Sequence, residues 1–241
     1  MKNQYFGDIN DYRKYGLLRS ILLASEIKLL VAWMLTPNDG STDGKFTSYL
    51  EDSDKWSRYD PVLFHTLREV LAGGQTRQVS LIENTSLLPE AEYFSGNTPD
   101  SALGRKEWFG LLSDRAESRD FIFLDPDNGL EVKSRRYGHK HSSKFLYWRE
   151  VEALWASGKS LLIYQHFIRE NRVDFVRRML EALKEATPGS FVEAFSTSNV
   201  VFLMALQPEN KRFHEAIVSS VQQRWEGQIH HWQLTLATQG Q

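Results

Sequence analysis

The chain contains no cysteine and carries almost no net charge. Its 241 residues include 29 basic and 31 acidic side chains, which leaves a formal net charge of −2. Without a thiol, the protein has no cysteine nucleophile, zinc–thiolate centre, iron–sulfur cluster or disulfide. The balanced charge excludes a strong overall basic field, so any contact with nucleic acid must come from a local patch.

Long apolar runs are also missing. No stretch approaches the roughly 20 apolar residues that a membrane-spanning helix needs. The first residues lack the charged start and apolar core of a secretory signal. We therefore expect a cytoplasmic protein with no membrane partner. The composition is otherwise ordinary, with 41% hydrophobic and 25% charged residues, which is typical of a globular protein with a substantial core.

Helix-type and strand-type patterns alternate along the chain. Helices are expected over residues 10–25, 61–72, 104–117, 146–156, 168–186 and 213–225. Strands are expected over residues 28–34, 78–82, 93–95, 121–124, 160–164, 191–195, 200–206 and 229–236. This alternation predicts a Rossmann-like α/β fold, a mostly parallel sheet with helices on both faces and an antiparallel C-terminal hairpin. Because no Pro/Gly/Ser-rich linker divides the chain, we expect one domain over 1–241, with irregular inserts near 40–60 and 130–145.

Polar side chains follow several of the predicted strands, and in open α/β sheets ligands bind at the carboxyl ends of the strands. These residues are Thr36, Asn38, Asp39 and Gly40, then Glu83 and Asn84, then Asp125, Asp127 and Asn128, and finally Gln165 and His166. Asp125 follows a buried strand and precedes a proline, which holds its carboxylate at the strand tip. An imidazole such as that of His166 suits acid–base work near neutral pH. We therefore predict catalytic roles for Asp125, Asp127 and His166.

A basic segment, residues 133–144, follows the Asp125 strand closely. Its positive or titratable side chains are Lys133, Arg135, Arg136, His139, Lys140, His141 and Lys144. We expect this segment over the rim of the pocket, where it could bind phosphate groups of a nucleic acid or nucleotide. The candidate substrate-binding residues are thus Asn128, Arg135, Arg136, His139 and His141. The sequence indicates no resident metal site.

Two segments resemble motifs of a known family. The run Phe6-Gly7-Asp8-Ile9-Asn10-Asp11-Tyr12-Arg13-Lys14 is similar to an amphipathic N-terminal helix with a small, polar start. Phe123-Leu124-Asp125-Pro126 matches the first half of an Asp-Pro-Pro-aromatic motif. The last predicted elements of the chain follow the order helix, hairpin, helix. Together with this order, the two segments resemble the class I S-adenosylmethionine-dependent methyltransferases, in particular the bacterial enzymes that methylate adenine N6 in large-subunit ribosomal RNA.

The resemblance implies S-adenosylmethionine as cofactor and an amino group of nucleic acid as the methyl acceptor. It implies that Thr36, Asn38, Asp39 and Gly40 contact the cofactor and that Glu83 lies near its ribose. Asp125 would accept a hydrogen bond from the amine and raise its nucleophilicity. The sequence departs from the family in two places: the segment 36–41 holds one glycine, and Asp127 and Asn128 replace a proline and a base-stacking aromatic.

Other interpretations of the same residues remain open. Asp125 and Asp127 also resemble the Asp-x-Asp motif of haloacid-dehalogenase phosphatases, in which magnesium lies between the two acids. Together with Glu131 they could instead hold Mg²⁺ in a phosphodiesterase or nuclease. A third possibility is a binding module that kept the fold and lost the reaction. Such a module is expected to have a filled or blocked pocket at the strand ends.

Overall fold

A computed structural model of the protein describes residues 1–40 and 44–234. Its helices are α1 (Ile9–Leu23), α2 (Ser53–Trp56), α3 (Pro61–Ala72), α4 (Ser80–Glu83), α5 (Ala102–Ala116), α6 (Trp148–Ala156), α7 (Arg172–Ala186) and α8 (His214–Arg224). Its strands are β1 (Leu29–Ala32), β2 (Glu92–Phe94), β3 (Phe121–Leu124), β4 (Gly129–Leu130), β5 (Phe145–Leu146), β6 (Ser160–His166), β7 (Phe191–Ser196), β8 (Val200–Leu206) and β9 (His230–Gln233). Ser41 of the predicted cofactor loop and residues 235–236 of the predicted last strand lie outside the described residues.

The described strands form a seven-stranded sheet in the order β2-β1-β3-β6-β8-β7-β9, with β4 and β5 paired separately. Strands β2, β1, β3 and β6 run parallel to one another. Strand β8 is antiparallel to both of its neighbours, and β9 is antiparallel to β7. The predicted Rossmann-like α/β fold and its antiparallel C-terminal hairpin are therefore confirmed.

Helices cover both faces of this sheet. Helices α1, α3 and α8 pack on the face that carries Val31 and Phe123, whereas α5, α6 and α7 pack on the face that carries Ile122 and Leu124. Because the central strands are buried on both faces, they appear in the sequence as continuous apolar runs. Within the described ranges, no helix is long and apolar enough to cross a membrane. Because helices cover both faces of the sheet, the side chains that can reach a ligand lie at the ends of the strands.

The strand predicted over residues 78–82 is wrong. The chain there turns into α4, a helix of four residues, and Leu81 and Ile82 point into the core. A short apolar run does not distinguish a strand from one buried helical turn by its pattern. The strand that lies beside β1 is β2, close to the predicted 93–95.

The end of β6 also differs from the prediction. Gln165 and His166 do not follow the strand but belong to it, because the ladder with β8 continues to the pair His166 and Val200. The short parallel pair of β4 and β5 has no counterpart among the predicted strands. It joins the loop after β3 to the start of α6, and so limits the freedom of the residues that follow Asp125.

An aromatic cluster holds α1 against the C-terminal helix. Trp225, directly after α8, is fully buried and stacks on Tyr59 with ring centroids 5.5 Å apart. Its edge meets Tyr12 of α1 at 5.0 Å. This packing needs a glycine at position 16, because a Cβ there would lie 1.8 Å from Cζ2 of Trp225.

We expect Gly16→Ala to lower the free energy of unfolding by about 1–3 kcal/mol, since the added methyl group must displace a buried tryptophan. Urea unfolding followed by circular dichroism measures this loss. The matched control is Gly110→Ala on α5, where the added Cβ would meet nothing within 4 Å. Alanine there should stabilise the helix by up to about 1 kcal/mol. Similar effects of the two substitutions would contradict the packing argument.

Candidate functional site at the ends of β3 and β6

A cavity of about 520 Å³ opens at the carboxyl ends of β3 and β6. It is lined by Met1, Tyr5, Asp8, Asn10, Asp11 and Lys14, by Gly44 and Phe46, by Asp125, Pro126, Asp127 and Asn128, and by Tyr164, His166 and Phe167. This is the place where open α/β sheets bind ligands. The three predicted catalytic residues and Asn128 therefore lie around one space.

Lys14 of α1 forms a buried ion triad with two carboxylates. Its Nζ lies 2.7 Å from Oδ1 of Asp11 and 2.7 Å from Oδ2 of Asp125. Asp11 also accepts hydrogen bonds from the Gly7 backbone and the Tyr15 hydroxyl. Burial lowers the pKa of Lys14, but the two carboxylates raise it more, so the pKa lies above its usual value. The lysine therefore stays charged and joins α1 to the tip of β3.

Asp127 is the least satisfied acid of the cavity wall. Nζ of Lys2 lies 3.0 Å from its carboxylate, Nζ of Lys144 lies at 3.5 Å, and the Met1 ammonium lies at 4.0 Å. Among the described residues, neither of its buried oxygens has a hydrogen bond of good geometry. Burial raises the pKa of Asp127, but these three cations lower it more, so it falls below its usual value. The result is an ionised carboxylate that can still accept hydrogen bonds.

His166 lies at the mouth of the cavity. Desolvation by the neighbouring side chains lowers the pKa of His166, and the charges of Asp127 and Asp125 offset only part of that effect. Its ring still faces the open space and meets the edge of Tyr164 at 5.1 Å. At neutral pH the imidazole is therefore uncharged, which suits a hydrogen-bond partner or a proton acceptor better than a proton donor.

A glutamine supports the loop that carries these acids. Oε1 of Gln165 accepts a hydrogen bond from the backbone of Leu130 at 2.7 Å. The loop approaches Gln165 so closely at Gly129 that a Cβ there would lie 2.4 Å from Oε1, and Gly129 has a φ of +98°. Only glycine fits this approach without strain. The loop after β3 is thus held rigidly against β6.

The predicted cofactor residues lie elsewhere. The backbone N–H of Thr36 donates to the carbonyl of Met1 at 2.9 Å, Asn38 accepts from the backbone of Gln4 at 3.2 Å, and Asp39 pairs with Lys2 at 3.0 Å. The first residues of the chain therefore lie against the loop after β1. Gly40, the fourth predicted residue of that loop, is exposed with a φ of +69°.

Glu83 does not follow a strand, because it ends α4. It accepts hydrogen bonds from the Trp33 indole at 2.7 Å and from the hydroxyl of Ser95. Within the described part of the chain, none of the five predicted cofactor residues lines the cavity. Cofactor binding by these five residues stays a prediction.

The basic segment 133–144 borders the cavity. Arg135, Arg136, His139 and His141 are exposed, and the segment is anchored where Asp100 accepts hydrogen bonds from two of its backbone N–H groups. The backbone N–H of Asn128 donates to the carbonyl of Lys144 at 2.8 Å, which ties the segment to the cavity rim. Lys144, the last residue of the segment, therefore lies beside the cavity wall, and the binding of phosphate by the segment stays a prediction.

Sequence reasoning missed Lys2, Tyr5 and the role of Lys14. The available signal was the spacing of Asp11 and Lys14, which places an acid and a base on one face of α1. On an exposed helix this spacing is an ordinary surface pair. The Asp11–Lys14 pair belongs to the site only because Lys14 also contacts Asp125, which lies 111 positions away in the sequence.

The sequence matches no protein-family model, and no curated protein matches it either. The geometry of the cavity therefore carries the functional argument.

We expect Lys14→Met to lower the free energy of unfolding by about 3–5 kcal/mol, because it leaves two buried carboxylates without their cation. Chemical denaturation measures the loss. Lys55→Met, at an exposed position of α2, is the control and should change stability by no more than about 0.5 kcal/mol. Adding Asp125→Asn to Lys14→Met should restore part of the loss. A Lys14→Met protein of unchanged stability would show that the triad is not a real constraint.

Proposed function

We propose that the protein binds an amino-bearing ligand, with a nucleobase as the favoured class, in the cavity at the ends of β3 and β6. The observation that carries this proposal is Asp127, a carboxylate kept ionised by Lys2 at 3.0 Å and Lys144 at 3.5 Å, whose remaining lone pairs have no other hydrogen-bond donor within the described residues. An exocyclic amino group supplies the N–H donors that such a carboxylate accepts. The neighbouring Asn128 offers an amide that both donates and accepts.

The aromatic lining and the volume of the cavity support a planar ligand. Tyr5, Phe46, Tyr164 and Phe167 contribute aromatic side chains to its lining, and aromatic faces stack on bases of any sequence. A volume of about 520 Å³ lies within the range of small-molecule sites. A base or a nucleoside is of suitable size for this space.

The methyltransferase resemblance agrees with an amino-bearing substrate. The two segments on which it rests meet in the contact of Lys14 with Asp125, so both contribute to one site. Methyl transfer to the bound amino group is the reaction that the resemblance implies. The first residues of the chain already bind Thr36, Asn38 and Asp39, which the resemblance assigns to the cofactor. This favours a protein that recognises the ligand over one that transfers a methyl group to it.

A magnesium-dependent nuclease is less well supported. Asp125 and Asp127 are each paired with a buried lysine, and these ammonium groups occupy the positions where a divalent cation would reduce carboxylate repulsion. Glu131 accepts a hydrogen bond from the backbone N–H of Trp148 at 2.8 Å, at the start of α6. It is not among the residues that line the cavity.

Calorimetric titration with matched nucleosides tests the proposal. Adenosine and cytidine carry an exocyclic amino group, whereas inosine and uridine present a carbonyl in its place. We expect the amino-bearing member of at least one pair to bind more tightly, and Asp127→Asn to weaken that binding by about 10–100-fold, the value of a hydrogen bond to a charged group. Asp114→Asn, at an exposed position of α5, is the control and should not change binding.

Equal binding within both pairs, or no binding of any nucleoside at millimolar concentration, would refute amino-group recognition. A parallel titration with S-adenosylmethionine separates the two activities. Cofactor binding would favour methyl transfer, and its absence would favour a protein that only recognises the ligand.

If the ligand is part of a nucleic acid, the basic segment should supply phosphate contacts. We expect Arg135→Ala/Arg136→Ala to weaken binding of single-stranded RNA and to flatten the slope of log affinity against log salt, by about 0.7 for each lost phosphate contact. The effect should be similar for different sequences, because phosphate contacts carry no sequence information. Fluorescence anisotropy at several salt concentrations measures it.

Arg177→Ala/Arg178→Ala is the matched control, since these adjacent arginines lie on α7, outside the basic segment. If the Arg135/Arg136 variant keeps the affinity and the salt slope of the unmodified protein, the basic segment is an ordinary solvated loop.

A further inference from the structure

A second group of ligand-type side chains lies on the C-terminal half of the sheet. Glu193 belongs to β7, His214 begins α8 and His231 lies in β9. One potential metal-ligand atom from each residue lies within 4.8 Å of the other two. None of the three residues lines the cavity at the ends of β3 and β6, so this cluster is a separate feature of the molecule.

The cluster has an unusual combination of burial and incomplete pairing. The Glu193 side chain is 0% exposed, and the side chains of His214 and His231 are 17% and 15% exposed. Nε2 of His214 lies 2.6 Å from Oε1 of Glu193, and Nε2 of His231 lies 3.1 Å from Oε2. The second pair is close but badly aligned, and neither of its atoms has a hydrogen-bond partner among the described residues.

A buried carboxylate oxygen without a hydrogen bond, such as Oε2 of Glu193, is costly. Both imidazoles direct Nε2 towards Glu193, which brings two nitrogens and a carboxylate to one place. Among the described residues, no lysine or arginine forms an ion pair with Glu193. Aromatic rings cover the sides of the cluster, since Phe191 lies 4.3 Å from the His214 ring and Phe195 lies 5.4 Å from the His231 ring.

We propose that Glu193, His214 and His231 bind a divalent transition metal, with Zn²⁺ as the best fit. Two imidazole nitrogens and one carboxylate oxygen are a donor set that Zn²⁺ accepts, and water completes a tetrahedron. Tetrahedral zinc ligands lie about 3.4 Å apart, as follows from bond lengths of about 2.0–2.1 Å. The two nitrogens lie 2.6 Å and 3.1 Å from the carboxylate oxygens, and the three ligand atoms lie within 4.8 Å of one another, so side-chain movements on the order of 1 Å bring them to the spacing of a zinc site.

Binding replaces the hydrogen bond of His214 with a metal bond. A neutral His214 moves its proton from Nε2 to Nδ1, and a doubly protonated His214 releases the Nε2 proton to solvent, because a metal ligand must present a lone pair. The ion then joins a sheet strand, the start of α8 and the outermost strand β9. Among the described strands, β9 pairs with β7 alone, so the metal adds a second attachment for this strand.

The experiment uses the full-length, untagged protein, treated with chelator and then titrated with ZnCl₂ in a calorimeter. We expect one ion per chain and a Tm that rises with zinc concentration, because a ligand that binds only the folded state stabilises it. Co²⁺ should give the intense visible absorption of a tetrahedral site. His214→Ala and His231→Ala should each weaken Zn²⁺ binding by more than about tenfold, the lower end of the effect of losing an outer-shell partner.

Two control variants test the assignment. His230→Ala removes the neighbouring, exposed histidine of β9, which points to the opposite side of the strand. His139→Ala/His141→Ala removes the histidines of the basic segment. Both variants should bind zinc as the unmodified protein does. If they lose the ion while His214→Ala and His231→Ala retain it, the proposed ligands are wrong.

X-ray absorption on the zinc-loaded, unmodified protein keeps the test valid if a variant fails to fold. The expected first shell contains nitrogen and oxygen, with the outer-ring scattering of two imidazoles. A shell without imidazole, or the absence of zinc binding below millimolar concentration, would overturn the proposal.

Discussion

The buried ammonium group of Lys14 constrains the geometry of the whole site. A charge that is out of contact with water must lie against opposite charges, and Lys14 finds them in Asp11 on its own helix and in Asp125 at the tip of β3. Helix α1 is therefore fixed in rotation as well as in position against the sheet. The side chains that α1 and the preceding residues present, from Tyr5 to Asp11, become one wall of the cavity as a consequence.

The same electrostatic logic governs the first residues of the chain. Lys2 lies between Asp39 and Asp127, with 3.0 Å to each, and so joins the loop after β1 to the loop after β3. This bridge closes the half of the strand-end crevice beside β1 and leaves the half beside β6 open. The open half contains an acid, an amide and an imidazole, and these are the groups on which the proposed recognition of an amino-bearing ligand rests.

Other buried ion pairs repeat this arrangement on the rest of the fold. Arg105 of α5 holds Glu150 of α6 at 2.8 Å and also donates to the Phe145 carbonyl, which supports the base of the basic segment. Arg19 of α1 pairs with Asp60 at the start of α3. Such pairs add little net stability compared with apolar packing, but each accepts only one arrangement of the elements it joins. The apolar core determines that helices pack on the two faces of the sheet. The ion pairs determine how those helices are positioned relative to the sheet and to one another.

The sequence by itself determined the elements and the class of the fold. The apolar runs of β1, β3, β6 and β8 and the periodic faces of α3 and α7 report burial, which is a local property of each residue and is readable from pattern. The exceptions were short: residues 78–82 formed a helical turn, Gln165 and His166 extended β6 through pairing with β8, and α2, β4 and β5 were not predicted. The strand-end acids could also be placed at one edge, because parallel strands end together.

Only the tertiary structure decided what those side chains contact. Lys14 and Asp125 are 111 positions apart, and no local pattern marks them as partners. Other contacts are equally absent from any local pattern. Gln4 and Lys2 bind Asn38 and Asp39, the Trp33 indole donates a hydrogen bond to Glu83, and two histidines lie against Glu193. The hydrophobicity of each residue indicates whether that residue is buried, so burial can be predicted along the chain. The pairing of charges depends instead on distances between residues, which are set only after the helices have packed against the sheet.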